Sequence, residues 1–448
     1  MKTNAKNYST WLHLGFYGGL QRATVVVFGM LSTMVLAHKA IDPADMGVWS
    51  LYLIIAAFVE IIRHGLVKNS VIKYLNSSGT EEKNFVLTSA FVLNVIITVL
   101  LGILLIVFAK PIVSYLKAPQ LESMIYWYGL ALLSLIPFSQ LEWIMLGRLQ
   151  FKQLFWTYVV RQAVILFLQL GSVLIGIKVS LNMLVIFYAT GIFCGALSGY
   201  FFIRSDLNFQ FLFSKQWMRR LWDFGKYAFG TGVSNLVFRS TDSFMVSNIL
   251  SSTVIVAEQG IALRVFNLID IPSQLIGDII FPKSSGVDPN DKETIKNYYE
   301  KSVGATLSII LPAIFVVILF PKIPILFLAG SKYLDAIPYL QLLMFVSIFL
   351  AFLKQFGTIT DSTGKPKINF LVTTGIALLN LVSCFFFIKN FAFVGAAYGL
   401  LGTHIISFVV TQSMMYKKYK IQFWNSFKYA FSIYPEIWKM LYTKLALR

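Results

Sequence analysis

The chain has 448 residues, 57% of them hydrophobic and only 13% charged, with a formal net charge of +18. That charged fraction is about half of what a soluble domain carries, and it excludes an ordinary soluble enzyme or nucleic-acid-binding protein. The apolar residues fall in continuous runs of about 20, the length that crosses a roughly 30 Å hydrocarbon core. Runs without alternation also argue against lipid-facing strands.

Twelve runs are read in chain order, at about 12–37, 45–64, 85–108, 124–147, 153–177, 180–203, 222–248, 254–281, 302–328, 335–357, 367–388 and 391–415. With a cytoplasmic N-terminus and alternating spans, about 27 of the 38 Lys and Arg fall in cytoplasmic segments and span ends. About seven fall in outer loops. This asymmetry is the positive-inside rule, and it predicts that both termini are cytoplasmic. The first run is too long for a cleavable signal peptide and is followed by no small-residue cleavage site.

In the first run Tyr17, Gln21 and Thr24 share a helical face, with Arg22 offset from them. The second closes on Arg63 and His64. Positive-inside placement accounts for both, and Glu60, one turn deeper, is placed to neutralise either. Arg161 lies about two turns from the cytoplasmic end of the fifth run, and Glu142 of the fourth is its expected partner. Residues 206–221 are expected to link the two halves on the cytoplasmic side, with an amphipathic helix starting at Lys215 behind an N-cap Ser214. In the seventh run Tyr227, Thr231, Ser234, Asn235, Arg239 and Asp242 occupy about 140° of the helical wheel, and Arg239 and Asp242 are close enough to pair. In the eighth run Gly260, Arg264, Asn267, Asp270, Gln274 and Asp278 fall within about 120°, opposite Ile, Leu, Val and Phe, and Pro272 is expected to kink the helix. Residues 283–301 read as a turn followed by a solvated helix. Residues 421–448, with Phe423, Trp424, Phe427, Tyr429, Trp438 and scattered lysines, read as an interfacial amphipathic tail. Cys194 and Cys384 lie within runs in different halves and read as small core residues.

The two halves repeat. Ala44-Asp45-Met46-Gly47 opens the second run and Ala257-Glu258-Gln259-Gly260 the eighth; Pro111-Ile112 and Pro324-Ile325 close the third and ninth. Gly15-Phe16-Tyr17 corresponds to Gly225-Lys226-Tyr227, and Gly147-Arg148 to Gly364-Lys365. The expected fold is an all-α polytopic membrane protein of twelve helices. An N-lobe (1–205) and a C-lobe (222–420) of six helices each would be related by a pseudo-twofold axis along the membrane normal.

Four arginines, Arg22, Arg161, Arg239 and Arg264, lie inside spans, and Lys354 is the lysine nearest to comparable depth. An ionisable residue at such depth faces a partner or a water-filled cavity and is a functional candidate by default. A planar guanidinium binds phosphate bidentately, which an ammonium does not. Arg22, Arg63, Arg161, Arg239 and Arg264 are therefore candidates for a cationic cavity that holds a phosphate-bearing substrate, supported by Gln21, Asn235, Asn267, Asp270 and Gln274. Inter-helix hydrogen bonding that merely holds a bundle together is the structural alternative. The four histidines lack metal-ligand spacing, no P-loop occurs, and the chain is not read as an enzyme.

Ala257-Glu258-Gln259-Gly260-Ile261-Ala262-Leu263-Arg264, running on to Ile280-Phe281-Pro282, resembles the segment joining spans seven and eight of O-antigen (Wzx-type) flippases. Gly364-Lys365-Pro366-Lys367 resembles that family's turn after span ten. The chain thus resembles the polysaccharide-transporter branch of the multidrug/oligosaccharidyl-lipid/polysaccharide (MOP) exporter superfamily. The resemblance implies a MATE-like fold in the bacterial cytoplasmic (inner) membrane. It implies a flippase that carries an undecaprenyl-pyrophosphate-linked oligosaccharide to the outer leaflet by alternating access. No cofactor is implied beyond a coupling cation, H+ or Na+. The implied partners are the lipid-linked oligosaccharide, membrane lipids and a polymerase or glycosyltransferase complex, not nucleic acid. Asp242, Asn380 and Thr403 match part of a sodium site known in related lipid II flippases, but Ser383 and Cys384 stand near the position of its second acid. The alternative within the superfamily is a multidrug or organic-cation antiporter. Such antiporters often carry an acid in span one, and this chain has none there.

Overall fold

The computed structural model describes the backbone of residues 2–77, 79–206, 212–288 and 290–446. Side chains are described from Tyr17 to Pro435, apart from positions 76–78, 80, 81, 206–211, 227, 228, 231, 235, 278, 282 and 289. Every regular element among the described residues is helical: α1 (Lys2–Val35), α2 (Pro43–Arg63), α3 (Asn69–Ser77), α4 (Thr80–Val107), α5 (Ala109–Leu116), α6 (Leu121–Gly147), α7 (Phe151–Ile175), α8 (Leu181–Ile203), α9 (Lys215–Leu250), α10 (Thr253–Ile269), α11 (Ile271–Ser285), α12 (Lys292–Leu319), α13 (Lys322–Ala329), α14 (Ile337–Ser362), α15 (Pro366–Tyr419) and α16 (Phe423–Ala446).

Nine helical segments among the described residues are long and apolar enough to cross a membrane. Their outward faces are apolar, as lipid requires. Along α4, for example, Leu100, Ile103 and Val107 are all more than half exposed. α15 is counted once among the nine, although its backbone leaves helical geometry at Phe391 and Ala392. The break falls where the sequence separates the last two runs. α10 and α11 are each too short to be counted, because the eighth run breaks at Asp270, ahead of Pro272. Proline at the first turn of α11 costs nothing, whereas inside a continuous helix it would remove a hydrogen bond and clash with the preceding turn.

The chain divides into two compact units. Unit 1 holds Met1–Leu236 and Ser251–Ala257, and unit 2 holds Val237–Leu250 and Glu258–Arg448. In unit 1, α6 and α7 pack on α8, and α1 packs on α7. Small residues permit the close approaches. A Cβ on Gly195 would lie 2.9 Å from Arg161 Cβ, and one on Gly47 would lie 1.7 Å from the Thr253 carbonyl oxygen. α2 does not stop at Arg63 but runs through a π turn, His64–Lys68, into α3. The segment read as an amphipathic connector helix is instead the start of the 36-residue α9. Ser214 caps it as expected, accepting from Trp217 N at 3.4 Å. Its first turns dock on unit 1, where Ser70 Oγ donates to the Leu221 carbonyl at 2.8 Å and Gly225 meets the Leu66 carbonyl.

In unit 2, α14 packs on α11, α12 and α15, and α16 packs on α12. The solvated helix expected within 283–301 is the first turns of α12, capped by Asp291 through Thr294 N at 3.1 Å. The tail docks against unit 2. Gly304 gives room to Tyr429 and Ser426, and buried Glu300 accepts from Gln422 N at 3.1 Å and from Asn425 Nδ2 at 3.1 Å. Tyr434 donates to the Ser308 carbonyl at 2.7 Å. Trp438 lies outside the described side chains.

Candidate functional site

Unit 1 carries two charged clusters at membrane depth. In the first, Arg161 of α7 donates through Nη2 to Glu60 Oε1 of α2 and to Tyr188 Oη of α8, both at 3.1 Å, and Tyr188 donates to Glu60 Oε1 at 2.9 Å. The guanidinium also lies over the Phe138 ring at 4.8 Å, and such a contact strengthens as water is removed. The expected partner of Arg161 is corrected. Glu142 instead takes Lys68 at 3.1 Å and His64 at 3.5 Å. The π turn after Arg63 carries His64 and Lys68 onto α6. It leaves Glu60 one turn back, where it pairs with Arg161 of α7 while His64 and Arg63 stay within electrostatic reach.

Arg63 is the second cluster, and it is corrected in depth. It is fully buried rather than set at a wet span end. Nη2 donates to Asn94 Oδ1 at 2.8 Å and to the Leu135 carbonyl at 2.9 Å. Asn94 in turn donates to the Ile136 carbonyl at 3.0 Å. Nε and Nη1 of Arg63 have no hydrogen-bond partner. Beside these clusters Trp49, Tyr52, Tyr128 and Tyr188 form an aromatic wall. Trp49 stacks on Tyr52 at 5.0 Å, and Tyr52 meets Tyr128 edge-on at 5.5 Å. Arg22 and its neighbour Gln21 lie on α1, Arg22 exposed and Gln21 half-buried.

Unit 2 is organised around two carboxylates. Asp242 of α9 accepts through Oδ2 from Gln259 Nε2 at 2.9 Å and from Tyr339 Oη at 3.4 Å, while its buried Oδ1 has no partner. The expected pair with Arg239 is corrected as well. Asp242 is buried and Arg239 exposed, so two residues three apart on one helix point in different directions. Nearby, Asn380 Nδ2 donates to the Phe238 carbonyl and its Oδ1 accepts from Cys384 Sγ, each at 3.4 Å. Thr403, on the second arm of α15, has a buried Oγ1 without a partner. The other carboxylate, Asp270, accepts from Lys354 Nζ and from Gln274 Nε2, the latter at 3.1 Å. Arg239 lies within electrostatic reach of Lys354. Arg264 is half-buried on α10, and Asn267 and Gln274 are exposed. The Asn235 side chain lies outside the described residues.

A family model described as "Polysaccharide biosynthesis protein" matches residues 36–338. The chain belongs to that family. Within the polysaccharide biosynthesis family it is 22% identical over 375 residues to a putative O-antigen transporter of Shigella flexneri, an alignment that covers 80% of this chain and 87% of the relative. It is 25% identical over 215 residues to an uncharacterized membrane protein of Methanocaldococcus jannaschii, spanning 48% of this chain and 42% of that protein. Among solved structures the fold is shared with the inward closed conformation of the lipid II flippase MurJ. The TM-score there is 0.76 at 14% identity, with 96% of this chain and 92% of that one covered. It is also shared with an inward-facing MATE multidrug transporter of the MOP superfamily, at a TM-score of 0.73 and 12% identity over 89% and 96% of the two chains. This family member is a multi-pass membrane protein with the fold of membrane transporters.

Glu60, Asn94 and Tyr188 of unit 1, and Gln259, Tyr339 and Lys354 of unit 2, hold the clusters together but do not stand out as site residues in the sequence. Glu60 and Lys354 did carry a signal, since each is a charge within an apolar run. Asn94 and Tyr188 carried none, because a single asparagine or tyrosine in a span is unremarkable until its neighbours are known.

Proposed function

We propose that this chain is a flippase for an undecaprenyl-pyrophosphate-linked oligosaccharide in the bacterial cytoplasmic membrane. The observation that carries the reading is an exposed arginine within a long helix of each unit, Arg22 in the apolar span Tyr17–Ala40 of unit 1 and Arg239 on α9 of unit 2. A guanidinium at that depth is stable only against a polar or water-filled space. A pyrophosphate that crosses bare hydrocarbon pays a large desolvation cost, and guanidiniums that line such a space offset it with bidentate hydrogen bonds. In this reading Arg22 and Gln21 of unit 1, and Arg239, half-buried Arg264, Asn267 and Gln274 of unit 2, are candidate substrate contacts, with Asn235 a candidate by sequence alone. Arg161 acts through its pair with Glu60, and Asp270 through Lys354. Arg63 holds two donors in reserve.

In the same reading α9, α10 with α11, and both arms of α15 cross the membrane. That makes twelve spans in two six-helix lobes, with both termini cytoplasmic. Transport runs from the inner to the outer leaflet by alternating access, driven by an ion gradient or the membrane potential, and a polysaccharide polymerase or glycosyltransferase complex is the expected neighbour. For a coupling cation, the buried oxygens of Asp242, Asn380 and Thr403 fit a hard ion, which prefers oxygen ligands. Asp242 Oδ1 and Thr403 Oγ1 are both without partners. Asp242 alone would serve a proton.

The test is glycan export in a deletion strain that expresses Arg264→Ala or Arg264→Lys. Losing one charge-assisted hydrogen-bonded contact costs about 1.5–3 kcal/mol, or roughly tenfold to more than a hundredfold in affinity. Arg264→Ala is expected to lose export at unchanged protein level and Tm. Arg264→Lys should retain part of it. Normal export in Arg264→Ala removes Arg264 from the site; lowered protein level and Tm assign it to helix packing.

A further inference from the structure

A groove of about 510 Å³ lies within unit 1, between α4, α6 and α8, apart from the charged clusters described above. Its walls include Phe91, Leu141, Ile144, Phe193 and Leu197, and Arg204 stands at one end. That size lies in the usual range of small-molecule sites. The groove is open on its α8 side, where Phe193 is 56% and Leu197 47% exposed. From Phe193 to Arg204 is eleven residues, or roughly 16 Å at the helical rise. The amide in the wall, Gln140, uses its Nε2 on the Leu87 carbonyl at 3.1 Å, so most of the lining is carbon. The groove is therefore an apolar trough with a single cation, Arg204, among its described lining residues.

Arg204 follows the last turn of α8 and is exposed, its guanidinium over the Phe201 ring at 5.6 Å. No carboxylate pairs with it among the described residues. Tyr200, Phe201 and Phe202 put an aromatic belt at the same level, as membrane–water interfaces do. A trough that faces lipid, with a guanidinium at interfacial depth, matches a molecule with an apolar chain and one phosphate. We propose that this groove binds an anionic phospholipid of the surrounding bilayer, one acyl chain lying along α6 and α8 and the phosphodiester held by Arg204. One guanidinium balances one phosphodiester, and its planar fork suits two phosphate oxygens. A zwitterionic lipid brings its own ammonium to compete for that phosphate. A pyrophosphate carries more charge than a single arginine neutralises. Basic residues between transmembrane helices recognise anionic headgroups elsewhere by the same means.

The experiment uses the full chain, delipidated in detergent and titrated with phosphatidylglycerol or phosphatidylcholine of identical acyl chains, with adducts counted by native mass spectrometry. The wild type is expected to prefer phosphatidylglycerol for its first adduct by about tenfold, a typical scale for a charge-assisted contact. Arg204→Gln should abolish the preference while the lipid-free Tm stays unchanged. Arg204→Lys should keep part of it, which separates a binding role from misfolding. Leu197→Trp, which fills the groove, should weaken the first adduct of both lipids. The proposal is overturned if Arg204→Gln keeps the wild-type preference, if the wild type shows none, or if polyprenyl phosphate at equal concentration displaces phosphatidylglycerol. The last result would assign the groove to the carrier lipid instead.

Discussion

The two units handle buried carboxylates differently. In unit 1 Glu60 and Glu142 are each neutralised by a cation from a neighbouring element: Arg161 for the first and Lys68 for the second, with His64 Nε2 at 3.5 Å from Glu142. In unit 2 Asp242 is held by an amide and a phenol, and Glu300 by a backbone N–H and an amide. Only Asp270, of these three, has a cation, Lys354. A carboxylate that already has its counter-charge is part of the framework. One held by neutral donors keeps its charge available for something that arrives. The difference separates a unit whose two carboxylates have cation partners from one in which two of three are held by neutral donors.

The largest effect expected from this contrast is in unit 1. Arg161→Gln strands Glu60, 23% exposed at its side chain, against α7 and α8. Removing one partner of a buried pair typically costs about 3–5 kcal/mol, and the partial exposure of Glu60 puts the expected loss near the lower end. Chemical unfolding in detergent would measure it, and the double variant Glu60→Gln/Arg161→Gln should recover most of the loss. If the single variant unfolds like the wild type, the pair is not part of the framework and the contrast fails.

Asp242 offers the next test. Without added cation, Asp242→Asn is expected to change stability by less than about 1 kcal/mol, because Gln259 and Tyr339 still have an oxygen to address. With a coupling cation at 100 times its dissociation constant, the wild type should gain about 2.7 kcal/mol by mass action. Asp242→Asn should gain nothing. A titration of Tm against NaCl, with KCl as the control for ionic strength, and a second against pH distinguish sodium from protons. A flat wild-type response to both would remove Asp242 from any coupling role.

The smallest effect is expected at Glu300. Glu300→Gln keeps an acceptor for Gln422 N and Asn425 but weakens it from charged to neutral, a loss of about 1 kcal/mol. Protease sensitivity at α16 would report it. A loss as large as that at Arg161 would mean that neutral donors stabilise a buried charge as well as a guanidinium does.

The fold was legible because lipid imposes one rule on every span: runs near 20 residues, apolar outside, with breaks marked by proline and by polar residues. Pro272 announced the break between α10 and α11, and the step between the last two runs announced the turn in α15. The ionic partners were not legible. Helical spacing says which residues share a face of one helix, and so Arg239 and Asp242 read as a pair. It does not say that α9 turns one of them inward and the other outward. Likewise the sequence pointed Arg161 to Glu142 and not to Glu60, and the π turn at His64–Lys68, which places Glu142 against Lys68, has no marker in the sequence. Arg63 read as a surface charge for the same reason: nothing local shows that α2 continues into α3 and leaves it enclosed beside Asn94.

The break in α15 also bears on how the chain is made. Its two arms are separated only by Phe391 and Ala392, the latter at φ 50°, and they pack closely. A Cβ on Gly395 would meet the Phe387 carbonyl at 2.1 Å, and one on Gly399 would meet the Cys384 backbone at 2.9 Å. A turn this short leaves no slack for one arm to be threaded into the bilayer and the other to follow later. In the twelve-span reading proposed above, the two arms would enter the bilayer together as one hairpin. In that reading a bulky side chain at Gly395 is expected to lower the amount of inserted protein, measured as protein level in the membrane fraction, before any question of transport arises.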